Sequence, residues 1–121
     1  MKEILYRAII EDFTLVPYVR MTQKSKWSKN ARRYLDNQQS LAWEFKKHCP
    51  GTFCIDYPVE ISFQVHRPTK HRADFDNCLK ALQDALEHSG ILRNDFWIQG
   101  SGKSRIWFDG TAKVIVELRR L

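Results

Sequence analysis

No run in this 121-residue sequence approaches the ~20 consecutive apolar residues of a membrane-spanning helix, and Met1-Lys2-Glu3-Ile4 opens no long apolar stretch of the kind a secretory leader needs. The expectation is an intracellular protein without a membrane partner. Cysteine is scarce and odd in number. His48-Cys49-x4-Cys54 has part of a metal spacing, but no C-x2-C pair completes it, so zinc is excluded and the thiols read as free, with Cys78 in the core. Internal repeats, low-complexity tracts and linker-like segments are missing too. At 14.4 kDa, residues 1–121 are expected to form one domain with a real core.

Acids are missing from one stretch. Between Arg20 and Arg33 lie six bases (Arg20, Lys24, Lys26, Lys29, Arg32, Arg33), no Asp or Glu, and Trp27. Such a run is either a solvated loop or an electrostatic grip on a nucleic-acid backbone, with Trp27 placed to stack on a base. A pI near 9.4 with 20 Lys and Arg favours an anionic partner.

The acids are concentrated elsewhere. Residues 74–95 hold five (Asp74, Asp76, Asp84, Glu87, Asp95) against two bases (Lys80, Arg93), a net of −3 in a chain of formal charge +6. An acidic island in a basic chain suggests a cation site set among groups that hold a polyanion, which favours the backbone-gripping reading of residues 20–33. Phe75, Leu79, Leu82 and Leu86 recur at i, i+4, i+7 and i+11, the stripe of an amphipathic helix that Gly90 stops. Asp76, Lys80 and Asp84 fall on its polar face. Side chains two apart on a helix point about 200° apart, so Asp74 and Asp76 converge only if the chain passes from extended to helical between them. A helix start does that, and its free N–H groups favour a phosphate. Singly, each acid has an ordinary use: Asp74 as an N-cap, Asp76 paired with Lys80, Asp95 as a turn residue. Together, three carboxylates are the oxygen donors that Mg2+ takes, and an adjacent lysine can offset charge on a phosphoryl transition state.

The remaining elements follow from pattern. Residues 2–11 read as a strand with Ile4, Tyr6, Ala8 and Ile10 on one face. Residues 31–48 read as a helix whose apolar face, Tyr34, Leu41 and Phe45, is widened by Leu35 and Ala42; Pro50-Gly51 stops it. Residues 57–66 alternate as the clearest strand and run into the basic segment Arg67-Pro68-Thr69-Lys70-His71-Arg72, which either holds phosphates or balances the acids. Of the histidines, His71 is nearest the acids and reads as a phosphate contact before a base. Phe96-Trp97-Ile98 and Arg105–Phe108 read as strand, interrupted at Gly100-Ser101-Gly102 by a bulge or small loop. Gly-Ser-Gly-Lys lacks the spacing and context of a phosphate loop. Asp109-Gly110 predicts a hairpin pairing 103–108 with Ala112, Val114, Val116 and Leu118, which places Lys103 and Arg105 on one face beside a DNA path. The order β-α-β-α-β-β implies an α+β domain with a mixed sheet.

Asp74-Phe75-Asp76-Asn77, Lys80, Asp84-Ala85-Leu86, Gly90 and Asn94-Asp95 resemble the RusA family of Holliday junction resolvases, common in phages and prophages. The resemblance is dense over residues 67–98, and the element order agrees along the chain. It implies a RusA-like endonuclease domain over residues 1–121. Asp74, Asp76 and Asp95 are then the ligands of Mg2+, with Mn2+ as the alternative ion, and Lys80 completes the catalytic set. No organic cofactor is implied. It also implies a homodimer that nicks four-way DNA junctions in pairs during recombination and repair, in the nucleoid if the host is bacterial. The nucleic-acid contacts assigned on this basis are Arg20, Lys24, Lys26, Lys29, Arg32, Arg33, Lys70, His71, Arg72 and Lys103. Asn94 stands where the family often has a first turn acid, and Ala73 where a basic residue often precedes the first Asp. Two other readings are a non-catalytic module binding branched or duplex nucleic acid, and a metal-dependent nuclease for flaps.

Overall fold

Alternating apolar residues demand a sheet with one covered face, and two amphipathic helices supply the cover. The computed structural model describes residues 3–20, 28–49, 51, 53–70 and 73–121. In chain order they form β1 (Ile4–Glu11), α1 (Lys29–Lys47), β2 (Val59–Arg67), α2 (Phe75–His88), a 3-10 turn (Asp95–Trp97), β3 (Ile98–Ser101), β4 (Arg105–Phe108) and β5 (Lys113–Arg120). The fold is α+β with a five-stranded mixed sheet. Among the described residues no helix is long and apolar enough to cross a membrane.

β5 lies between β1 and β2, antiparallel to both. The far edge of β2 pairs in parallel with β3 along its first half and β4 along its second. β5 alone therefore runs against the other four strands. The helices fill the β1-to-β2 and β2-to-β3 crossovers, so both begin at the carboxyl ends of the strands they follow. In open sheets with helical crossovers, that end is where ligands collect.

The expected hairpin does not form. β4 and β5 flank β2 on opposite edges, and the 109–112 connection passes the end of β2 instead of folding back on β4. Asp109-Gly110 still turns the chain, but β2 has two edges to satisfy, and tertiary pairing overrides local turn preference. Asp109 accepts from the Thr111 N–H (3.2 Å) and hydroxyl, and its other oxygen lies 2.7 Å from Nδ1 of His66 in β2. Of the two expected forms, bulge or small loop, the break between β3 and β4 is the loop, and it falls at 102–104, with Gly100 and Ser101 inside β3. The ladder continues through it, because the Gly102 N–H donates to the Ile61 carbonyl (2.8 Å) and the Phe63 N–H to Ser104 Oγ (3.0 Å). A Cβ at Gly102 would overlap Ser62 Oγ, so a larger residue at this crossing would have to displace that hydroxyl.

The core joins Tyr6, Ala8 and Ile10 of β1, Val59, Ile61, Phe63 and Val65 of β2, and Val114, Val116 and Leu118 of β5 to both helices. From α1 come Ala31, Tyr34, Gln38, Leu41 and Phe45; from α2 come Cys78, Ala81, Leu82, Ala85 and Leu86. Three expected core positions are exposed instead: Ile4, Leu35 and Phe75. A register irregularity between Ile4 and Tyr6 turns Ile4 outward. The buried face of α1 centres on Gln38, whose amide donates to the Ala81 carbonyl of α2, and Leu35 lies to its side. In α2 the stripe centres on Cys78, Ala81 and Ala85, small residues that admit close helix packing. Phe75, at the first turn, covers Phe63 from the rim with ring centroids 5.0 Å apart. Phe96 and Trp97, read as strand, belong to the 3-10 turn.

Candidate active site

The start of α2 makes the transition that two converging acids require. Asp74 is extended (φ −73°, ψ 135°), and Phe75 begins the helix. The Asp74 carbonyl accepts from the Cys78 N–H at 3.0 Å, but its carboxylate makes no capping hydrogen bond. Asp76 sits in the first turn, and both acids are exposed.

Asp95 reaches α2 by a return that several bonds fix. Gly90 adopts φ 83°, a left-handed conformation that ends the helix at little cost only for glycine. Ile91 and Leu92 are buried, and Ile55 holds them: its N–H donates to the Ile91 carbonyl (2.7 Å), and its own carbonyl accepts from the Arg93 N–H (3.0 Å). Asn94 Oδ1 accepts from the Phe96 N–H (2.9 Å), capping the 3-10 turn. An amide serves this cap as well as an acid would, which accounts for Asn94 in place of a first turn acid. The Asp95 N–H donates to Glu87 Oε2 at 3.0 Å, tying the turn to the helix.

Lys80 is the hub. Its ammonium lies 3.1 Å from Asp84 Oδ1 and 3.3 Å from Asp95 Oδ2, and 6.0 Å from the centre of the Tyr18 ring. The Asp76–Lys80 pair, the ordinary alternative use of Asp76, is not made; Lys80 pairs with Asp84 and Asp95. Asp84 is in turn held from the core by the Tyr34 hydroxyl, which donates to Oδ2 at 2.8 Å. Tyr18 packs edge-on against Tyr34, and its N–H donates to the Asn77 carbonyl (2.9 Å). The Asp84 hydrogen bond foremost holds the Lys80 pKa above the ordinary lysine value, so the side chain is a fixed cation at neutral pH. Burial, then Asp84, keeps the Tyr34 phenol neutral far into the alkaline range. Among the described residues no three His, Cys, Asp or Glu side chains are gathered at metal-ligating separations. Asp74 and Asp76, exposed at the start of α2, and Asp95, half-buried in the turn that follows the helix, are hard oxygen donors of the kind Mg2+ takes.

The basic residues divide. Lys29, Arg32 and Arg33 lie in the first turns of α1, where they border a cavity of about 590 Å3 that also meets Asp36 and Asn37. Arg20 and Lys70 are exposed. Lys103 lies on the sheet face away from the helices, beside Glu60, Gln64 and Glu117. There it is not brought together with the α2 acids. Arg105, on the same face, stacks over Trp107 at 3.7 Å from its ring centre. Lys24, Lys26, Trp27, His71 and Arg72 fall outside the described residues. Tyr18, the Tyr34 hydroxyl and Glu87 emerge only from tertiary placement. Arg67 had a readable signal, because it continues the inward phase of β2 (59, 61, 63, 65, 67).

Fold and site together define an α+β domain with an acidic helix start beside a fixed lysine, bordered by basic residues of a neighbouring helix. Residues 14–119 match the family model described as endodeoxyribonuclease RusA, and the chain belongs to that family. It is also similar to the crossover junction endodeoxyribonuclease RusA of Aquifex aeolicus (strain VF5), with 34% identity over 53 residues. That stretch covers 44% of this chain and 41% of the relative, so the chain spans less than half the length of the relative it matches.

Proposed function

We propose that the chain is a divalent-metal-dependent endodeoxyribonuclease that resolves four-way DNA junctions by phosphodiester hydrolysis. The observation that carries this is Lys80, on the helix that Asp74 and Asp76 begin, held 3.3 Å from Asp95. Asp74, Asp76 and Asp95 would hold Mg2+, or Mn2+ in its place. When bound, the ion supplies Lewis-acid polarisation of the phosphodiester and lowers the pKa of a coordinated water. Asp84, fixed through one oxygen by Tyr34, keeps Lys80 protonated and, with Asp95, fixes the direction of its ammonium. Lys80 gives its charge to the phosphoryl group as negative charge builds on it. Lys29, Arg32 and Arg33 grip the flanking backbone, with Arg20, Lys70 and the basic residues outside the described segments. Residues 1–121 act as one domain, two copies pair around a two-fold junction, and the work belongs to intracellular recombination and repair, near the nucleoid in a bacterial host.

One observation favours a different reading. Lys80 is already neutralised by two carboxylates, as in a structural ion-pair network, which suits a non-catalytic module that binds branched DNA. End-labelled four-way junction DNA, incubated with and without Mg2+ beside an Asp76→Asn variant, separates the two. Duplex and flap DNA serve as controls. Symmetric, Mg2+-dependent nicks in the junction that vanish in the variant support the nuclease. Junction binding without cleavage in both proteins overturns it in favour of the module, and preferential flap cleavage moves the substrate.

A further inference from the structure

The inward phase of β2 ends on a charge. Arg67 is 5% exposed, and its Nε and Nη1 are buried with no hydrogen-bond partner among the described residues. A guanidinium cannot shed its proton at any working pH, so it cannot become neutral as a buried lysine would. A buried cation with two of its three nitrogens unsatisfied is a costly thing for a fold to keep, and removal of an anionic partner from such a charge leaves this kind of residue.

Arg67 faces a cavity of about 540 Å3 between the 14–19 segment, the first turn of α1 and residues 67–69. Its polar lining consists of Arg67, Arg33, Asn30, Thr69, Thr14 and Tyr18, with no Asp or Glu among the described residues. Two guanidinium groups, an amide and hydroxyls form a donor set for anionic oxygens, and a small turn of the Arg67 side chain, whose Nε and Nη1 are sealed from solvent, would bring its fork onto a tetrahedral oxyanion. The cavity opens at the end of the sheet where both helices begin, so their dipoles favour negative charge there. On its other side Arg67 lies close enough to Cys78 for its charge to act on the thiol, and Tyr18 forms a common wall with the Lys80 site.

We propose that this cavity is a phosphate-binding subsite, in which Arg67 and Arg33 take the non-bridging oxygens of a phosphodiester adjacent to the one cleaved. Its assignment to a DNA strand rests on the nuclease reading; its preference for phosphate does not. The subsite sets where the strand lies relative to Lys80, and Arg67 is therefore a positioning residue.

Two measurements on the metal-free full chain test this. Thermal unfolding is followed with inorganic phosphate against chloride at matched ionic strength, for wild type, Arg67→Met and Arg67→Lys. Phosphate raises the wild-type midpoint by a few degrees, leaves Arg67→Met unmoved, and gives Arg67→Lys an intermediate response. In chloride, Arg67→Met melts no lower than wild type, because it removes a buried charge with two unsatisfied nitrogens. Binding of a four-way junction in EDTA then weakens about tenfold in Arg67→Met, and the slope of log affinity against log salt falls by about one. A wild type indifferent to phosphate, an equal response in all three proteins, or an Arg67→Met that melts far below wild type in chloride overturns the proposal. A phosphate response with unchanged junction affinity overturns the DNA assignment. None of these readouts needs cleavage, so failure of the nuclease reading remains a separate result.

Discussion

Removing one buried hydroxyl measures how firmly the lysine hub is fastened to the core. Tyr34 is 2% exposed, and its hydroxyl donates to Asp84 Oδ2 at 2.8 Å. Hydrogen bonds to charged groups contribute about 1.5–3 kcal/mol, but Asp84 keeps some contact with water, so Tyr34→Phe is expected to cost about 1–2 kcal/mol. Asp84→Ala loses that bond and the half-exposed Lys80 pair, the latter worth under about 1 kcal/mol, and leaves the Tyr34 hydroxyl buried without an acceptor, for a total of about 2–4 kcal/mol. In the Asp84→Ala background, Tyr34→Phe deletes an orphaned hydroxyl and costs nearly nothing. The coupling energy is then about 1–2 kcal/mol, read from urea unfolding of wild type, both single variants and the double variant at unchanged m-value. In a domain of this size each kcal/mol moves the melting temperature by about 3–6 °C. Costs that add to within about 0.5 kcal/mol would refute the connection between core and hub. Alkaline pH gives a second view. The folded pKa of Lys80 is raised, so its contribution is complete below the ordinary lysine value and is lost as pH climbs through the higher folded one. Asp84→Ala should flatten that part of the decline.

Two further outcomes follow from groups outside the hub. Thr111 first, and then His66, hold the Asp109 carboxyl at about 2, so its stabilising effect is present above about 4 and disappears as pH falls towards 2. Carboxyl NMR titration should return Asp109 towards the ordinary range more in Thr111→Val than in His66→Ala, and an unshifted midpoint in Thr111→Val contradicts the assignment. Burial pushes the Cys78 thiol up to about 11, whereas Cys54 is exposed. Iodoacetamide at pH 8 should label Cys54 within minutes and Cys78 only in denaturant; rapid labelling of Cys78 in the native protein would show that α2 is not seated as described.

Most of the architecture is legible in residue order, because β2 and both helices carry strong periodicity. What failed did so where tertiary demands outrank local ones. Asp109-Gly110 has hairpin chemistry, but whether two strands pair or straddle a third depends on which edge is open, and no local pattern records that. Phe75 and Leu35 are apolar and correctly spaced, yet a helix face has a centre that only its packing partner fixes; small Cys78, Ala81 and Ala85 set it here. At the site, the change from extended to helical backbone between Asp74 and Asp76 was readable, because side-chain direction depends on secondary structure alone. The partners of Lys80 were not. Asp76 and Asp84 are both four residues away, and the choice between them turns on Asp95, fifteen residues on, and on a tyrosine of another helix.

The position of β5 governs the order in which the sheet can be completed. Residues 113–120 are the last of the five strands to leave the ribosome, yet they occupy the interior of the sheet, bonded to β1 on one side and β2 on the other. Until they emerge, the first two strands each hold an open ladder edge with no native partner between them. The α2 acids and the lysine hub are synthesised earlier, but the surface on which they rest is closed only at the end. Such non-local closure is slow, and it exposes aggregation-prone edges meanwhile. A newly made chain thus passes through a state with all its chemistry in place and no finished platform to hold it.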